Sequence, residues 1–314
     1  MDECVSMEFN EENRRTKFHG IIPPLVTPLI HRDQLDIDGT KKLLSHVIKG
    51  GVHGIFILGT TGEAPSLSYR LRRDFIRLVC EEVRQTIPVL VGITDTSIVE
   101  SLALAEVAKD AGADATVLTT PYYFPAGQTE LIQYVESVVA DAPLPLMLYN
   151  MPSMTKVWFD VETLSKLTNQ AKIVGIKDSS GDMDYFKEIL KLKKLRPDWS
   201  ILIGPEHLTS QAIALGGNGG VNGGANIFPE LFAAMYQAAI TADSAQLTIL
   251  NQQIQELQQI YSVGKYASRF IKATKSSLSI LGICSDQLAP PFNHFLEPER
   301  EAVASILDQI QSRA

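Results

Sequence analysis

An alternation that repeats eight times constrains this chain more than any other feature. From Gly20 onward, short apolar runs at positions 21–26, 54–58, 89–93, 115–118, 146–149, 173–176, 200–203 and 220–222 alternate with amphipathic stretches of 10 to 18 residues. A short apolar run bounded by turn residues and followed by a helical stretch is the signature of a parallel strand and its crossover. Eight such units give a (β/α)8 TIM barrel, whose usual size of roughly 250 residues fits within 314. A doubly wound open sheet is the alternative, because alternation alone does not say whether a sheet closes. The ends of the strands favour the barrel. Thr60-Thr61, Thr94-Asp95, Thr119-Thr120, Tyr149-Asn150 and Lys177-Asp178 stand at the C-terminal ends of five different runs. A barrel enzyme gathers its site from many such loops, whereas an open sheet concentrates it at one switch point.

Helix punctuation supports the same reading. Ser97-Ile98-Val99-Glu100 has capping-box spacing, Gly112 is placed to end that helix in a left-handed conformation, and Gly50-Gly51 and Gly216-Gly217 are expected to end two others. After about Asp243 the pattern becomes purely helical, at 245–261, 267–281 and 299–310, with Pro290-Pro291 and Pro298 as breakers. The expected organisation is a loose tail at 1–17, a barrel at 18–242 and a C-terminal helical extension of the same domain at 243–314.

Composition excludes several function classes. No stretch approaches the ~20 apolar residues of a membrane span. With a formal net charge of −8 and no basic run longer than Lys191-Leu192-Lys193-Lys194, the footprint of a nucleic-acid binder is missing. That run reads as a solvated helix face. The first residues are mixed in charge and lack the apolar core of a secretory signal. Cys4, Cys80 and Cys284 are odd in number and widely spaced, so they suggest neither a disulfide framework nor a zinc site, and a reducing cytoplasm fits them. His19, His31, His46, His53, His207 and His294 show no HxxxH or HxH spacing, so no metal is expected. Glu206-His207 reads as a helix start, and Met147, Met151 and Met154 as core or pocket wall.

Chemistry is expected at three segments. Lys177 closes the run 173–176, which puts its amine at the mouth of an apolar barrel. Scarce water there favours a neutral amine, able to attack a ketone and form an iminium. The bland alternative is a lysine that leaves its strand and pairs with Asp178 in solvent. Tyr149 closes the preceding run, so its phenol is expected at a similar height, where it can relay protons; otherwise it is a packed aromatic at a strand end. Gly59-Thr60-Thr61-Gly62-Glu63 offers hydroxyls and backbone N–H groups to a carboxylate, or is simply a turn with a helix cap. The turn Gly216–Gly224, which contains Val221, does not satisfy GxGxxG. Its glycines permit close approach to a keto acid, with a phosphate cradle as the rival reading.

In combination these segments are specific. GTTGE at 59–63, PYY at 121–123, YNxP at 149–152 and GIKD at 175–178 occur in that order at barrel-like intervals. From about Phe18 to the C-terminus the chain resembles the dihydrodipicolinate synthase and N-acetylneuraminate lyase family, which includes 2-keto-3-deoxy-sugar-acid aldolases. The resemblance implies Lys177 as the Schiff-base lysine and Tyr149 as the proton-relaying phenol. It implies Thr60 and Thr61 as carboxylate holders and requires no cofactor; Gly62 and Val221, in the two glycine-bearing turns, are further candidates for substrate binding. It also implies that Tyr123 reaches a neighbouring subunit's site in a homotetramer built from tight dimers. The match has one gap. Where the synthase branch carries an arginine for the second substrate's carboxylate, this chain has Met154, which cannot form that ion pair.

The expected activity is therefore a lyase joining or splitting pyruvate and an aldehyde in 2-keto-3-deoxy acids. Dihydrodipicolinate synthase activity on aspartate semialdehyde and a dehydratase using the same iminium are the alternatives. A non-catalytic keto-acid sensor is disfavoured by the presence of both Lys177 and Tyr149. A phosphate-binding barrel is disfavoured because no Lys or Arg stands beside the glycines.

Overall fold

The structure, a computed structural model, describes residues 18–312; the tail expected at 1–17 lies outside the described residues. Eight parallel strands form one sheet: β1 (Gly20–Ile21), β4 (Ile55–Ile57), β5 (Val89–Gly92), β6 (Ala115–Thr119), β7 (Leu146–Asn150), β8 (Ile173–Asp178), β9 (Ser200–Ile203) and β10 (Gly219–Gly220). Their order is β1-β10-β9-β8-β7-β6-β5-β4. The two outer strands meet through a parallel bridge between Pro24 and Phe56, backed by Leu25 N–H to Phe56 O at 2.8 Å and Phe56 N–H to Pro23 O at 3.0 Å. The sheet therefore closes, and the fold is a TIM barrel. A small antiparallel hairpin, β2 (Leu29–His31) with β3 (Gln34–Leu35), follows the first strand.

Two expected strands are corrected. The run 21–26 does not form one continuous strand, because Pro23 and Pro24 have no N–H to donate and the regular ladder stops at Ile21. The last strand falls at Gly219–Gly220 rather than 220–222. Gly219 has φ +147°, and a side chain there would stand 2.0 Å from the Gly20 carbonyl oxygen. Only glycine lets these two short strands approach.

Alternation along each strand divides the apolar residues between two cores. Phe56, Leu90, Val117, Met147, Tyr149 and Leu202 point into the barrel. Their neighbours Ile55, Ile57, Val91, Leu148, Ile201 and Ile203 point outward against the helices. This is period-2 geometry closed on itself.

The barrel helices are α1 (Ile37–Lys49), α2 (Tyr69–Val83), α3 (Ile98–Ala111), α4 (Gln128–Asp141), a single turn α5 (Pro152–Thr155), α6 (Val161–Leu167), α7 (Met183–Leu190), α8 (Thr209–Ala214) and α9 (Pro229–Ile240). Asp36 and Ser68 cap α1 and α2 through their side chains. Ser97 does occupy the N-cap of α3, but its side chain makes no capping bond, so the expected capping box does not form. Asp95 instead accepts from the Ser97 N–H at 3.2 Å. Gly112 ends α3 at φ 87°, as its position suggested.

Three further helices follow: α10 (Ser244–Leu257), α11 (Arg269–Ile280) and α12 (Glu297–Gln311). Pro298 does not break the last of these; it sits in the first turn, where a missing N–H costs nothing. α10 packs on α9, and α12 packs on α10 and α11. α11 also packs beside the turn Gly223–Asn226 that follows β10, which brings it to the barrel mouth.

Candidate active site

Register puts Lys177 and Tyr149 side by side. They are direct partners in the β7–β8 ladder, and Lys177 faces Leu202 on its other side. Tyr149 and Leu202 both belong to the barrel interior, so Lys177 points inward too. It is 5% exposed, and its Nζ lies 4.0 Å from the Tyr149 ring centroid and 5.0 Å from that of Phe56. Burial pushes the Tyr149 phenol up, but Lys177, together with hydrogen bonds involving Thr60, Ser179 and Lys177, outweighs burial and holds it below its ordinary value. A phenol so held moves protons more readily near neutrality.

In four of the five pairs of polar residues at the strand ends, Thr94-Asp95, Thr119-Thr120, Tyr149-Asn150 and Lys177-Asp178, the first faces the mouth and the second turns away from it. Thr94, Thr119 and Tyr149 line cavities at the mouth. Behind them Asp95 meets Arg72 Nη1 at 3.0 Å, the Thr120 hydroxyl bonds Thr155 at 2.7 Å, and Asn150 Nδ2 donates to Asp178 at 2.8 Å. The pairing of Lys177 with Asp178 in solvent is thereby overturned. Asp178 is buried, which pushes its carboxyl up against hydrogen bonds from Asn150 and Ser180.

The turn after β4 is bracketed by two left-handed non-glycine residues, Leu58 at φ 57° and Glu63 at φ 58°. Thr60 and Thr61 both reach the cavity that contains Lys177. Gly62 is not in that wall; it lets the turn close, since its carbonyl accepts from the Thr27 hydroxyl at 2.7 Å and a Cβ would lie 3.0 Å from Leu25 O. Val221 is in the wall, with its N–H donated to Ile203 O at 2.7 Å. Of the glycines at 216–224, Gly223 lines this cavity.

The Lys177 cavity has a volume of about 220 Å³. Beside it lies a more apolar cavity of about 310 Å³, sharing Thr60, Tyr149, Met151 and Phe270 and lined further by Met154 and Phe292. Among the described residues, Lys177 is the only Lys or Arg in either wall. Tyr123 does not join this group: it is 84% exposed at φ 83°, edge-on to the exposed Phe124, while its neighbour Tyr122 lines the apolar cavity.

The Lys177 wall also holds residues that were not anticipated, among them Ser179, Glu206, Tyr261 and Thr274. Glu206 is buried. Its Oε1 accepts from the Tyr261 hydroxyl at 2.9 Å and the Gly224 N–H at 3.1 Å, and its Oε2 has no partner among the described residues. Burial pushes this carboxyl up to about 7, against those two hydrogen bonds. The signal was available, since Glu206 follows the end of β9 just as the other polar residues follow theirs. No group of His, Cys, Asp or Glu able to hold a metal occurs among the described residues, and no described helix is long and apolar enough to cross a membrane.

A closed parallel barrel with a lysine, a phenol and threonines converging at the C-terminal ends of its strands defines a barrel enzyme of the lyase class. The chain belongs to the dihydrodipicolinate synthetase family, whose match spans residues 17–310. It is similar to a 4-hydroxy-tetrahydrodipicolinate synthase from Methanospirillum hungatei, 30% identical over 93% of this chain and 99% of that one. It is equally similar to a putative 2-dehydro-3-deoxy-D-gluconate aldolase, YagE, from Escherichia coli, 30% identical over 94% of this chain and 97% of that one. A solved dihydrodipicolinate synthase from Bacteroides thetaiotaomicron superposes with a TM-score of 0.90 at 47% identity, covering 93% of this chain and 98% of that one.

Proposed function

We propose that this lyase forms a Schiff base between Lys177 and pyruvate or another 2-keto acid, and reversibly cleaves or forms the carbon–carbon bond of 2-keto-3-deoxy sugar acids. The amine attacks the keto carbon and water leaves, giving an iminium. Breaking the C3–C4 bond then releases an aldehyde and leaves an enamine, which is protonated at C3 and hydrolysed to the keto acid and free lysine. Tyr149 carries the protons, Thr60 and Thr61 hold the carboxylate on the turn that Gly62 closes, and Val221 backs the keto acid. The iminium is the electron sink, so no cofactor is needed. Solved YagE was crystallised in complex with pyruvate, which supports the choice of keto acid.

The charge of the mouth carries the choice of second substrate. Among the described residues of these walls a carboxylate-bearing aldehyde meets no cation beyond Lys177; what it meets instead is a methionine at position 154 and a buried glutamate at 206. A hydroxyaldehyde finds hydrogen-bonding partners in Glu206 and Tyr261. A charge-assisted bond to a carboxylate contributes roughly 1.5–3 kcal/mol, so its lack should weaken productive use of aspartate semialdehyde by about 10- to 150-fold. Side-by-side kcat/KM measurements, with pyruvate as common substrate, test this. If the semialdehyde wins by about tenfold or more, the chain is instead a dihydrodipicolinate synthase. Release of water without aldehyde would make it a dehydratase.

Glu206 also sets a pH dependence of stability. Its folded value of about 7 lies above the ordinary 4.5, so between those values the native chain keeps a proton that the unfolded chain has lost. Stability must then fall as pH rises through that window, by an amount of order 3 kcal/mol. Glu206→Gln is expected to lose less Tm than the parent between pH 5 and pH 8. Parallel Tm curves for the two proteins would contradict the assignment.

For the assembly we propose a cytoplasmic homotetramer, a dimer of dimers, in which Tyr123 and Phe124 meet a second subunit. Two large aromatics exposed side by side fit such a contact. Sedimentation of a fully active monomer would refute both the state and the role of Tyr123.

A further inference from the structure

Glu63, the last residue of the Gly59–Glu63 turn, has its side chain fully buried and faces Lys275 on α11, which is equally buried; Oε2 and Nζ are 2.5 Å apart. The other carboxylate oxygen accepts from the Ala289 N–H at 2.9 Å, and Lys275 also donates to Gln287 O at 2.7 Å. Each oxygen of Glu63 is thus held by a different stretch of the C-terminal region. A buried ion pair is a poor way to gain stability, since well-packed apolar residues of similar volume often do as well. What it adds is direction. Glu63 and Leu58 are both left-handed, a conformation non-glycine residues keep only where their surroundings over-determine it. The Glu63 N–H also closes the turn onto Thr60 O at 3.1 Å. From the other side, α11 brings Phe270 and Thr274 to the Lys177 cavity.

We infer that the Glu63–Lys275 pair is a positioning device: it fixes the turn so that Thr60 and Thr61 meet the substrate carboxylate, and it locks that turn to the helix closing the cavity. The inference rests on the proposed role of the two threonines as carboxylate holders.

The experiment is borohydride trapping at Lys177 against concentration, with pyruvate and with hydroxyacetone, a ketone that lacks the carboxylate. Glu63→Gln leaves a buried lysine uncompensated and risks unfolding, so the double variant Glu63→Gln/Lys275→Met, which buries no lone charge, is measured beside it. The half-saturating pyruvate concentration is expected to rise about tenfold or more in the double variant, while that of hydroxyacetone stays within about threefold. Equal changes for both ketones, or none, overturn the inference. A double variant that fails to fold assigns the pair to stability and overturns it too. Thr61→Ala separates the two layers. If it leaves the pyruvate curve unmoved, the carboxylate role of the turn fails; if it shifts the curve and the double variant does not, only the positioning role fails.

Discussion

Lys177→Ala is expected to abolish turnover and, with it, all covalent capture of pyruvate by borohydride. In the parent protein, reduction should convert the iminium into a stable secondary amine, adding one reduced pyruvate at Lys177 and nowhere else. The specificity follows from placement. Lys275 is as buried as Lys177 but is engaged by Glu63 and the Gln287 carbonyl. Lys172 is bonded to the carbonyls of Val139 and Ala142. Among the described lysines, Lys177 alone stands in the cavity wall, beside the Tyr149 ring. The fold should survive the change, because among the described residues Lys177 makes no ion pair whose partner would be stranded: Asp178 is satisfied by Asn150 and Ser180. Mass mapping of the adduct to another lysine, or undiminished turnover in the alanine variant, would remove Lys177 from the mechanism.

Much of this site was legible because strands obey a period of two. Once 146–149 and 173–176 are read as neighbouring strands, equal height for Tyr149 and Lys177 follows from counting, and the ladder pairs them directly. The GTTGE turn was legible for a local reason, since its glycines, hydroxyls and backbone N–H groups stand together in five consecutive residues. What stayed hidden depends on distant partners. Glu206 does start a short helix, Glu206–Leu208, as its sequence suggested, but its place in the cavity wall comes from Tyr261, which the helical extension brings across the mouth. Glu63 looked like the end of a turn because its counterion lies on α11. Closure of the barrel was inferred from eight units, but the manner of closure was not, since Pro23 and Pro24 reduce the first strand to a short ladder and one bridge. Tyr123 marks a further boundary: its exposure is a property of one chain, and the role proposed for it belongs to a contact between chains.

Tyr149→Phe should lower kcat by about 10²- to 10⁴-fold, the usual scale of a general acid–base contribution. The change is well suited to isolating the hydroxyl. The aromatic ring keeps its edge contact with Phe56, at 6.3 Å between centroids, and its place in the barrel interior, so little loss of Tm is expected. KM for pyruvate should move far less than kcat, because Thr60 and Thr61, the proposed carboxylate holders, are untouched. A pH profile distinguishes this from a packing effect. Burial alone would push the phenol above its ordinary value of 10.0, yet Lys177 and the hydrogen bonds around it hold the phenol lower. As pH rises through that lowered value the hydroxyl loses the proton it must donate, so kcat in the parent should fall on the alkaline side before the ordinary tyrosine range is reached. The phenylalanine variant has no such proton, and its residual activity should lack that alkaline limb. Full activity in the variant, or the same limb in both proteins, would show that the proton travels by another route.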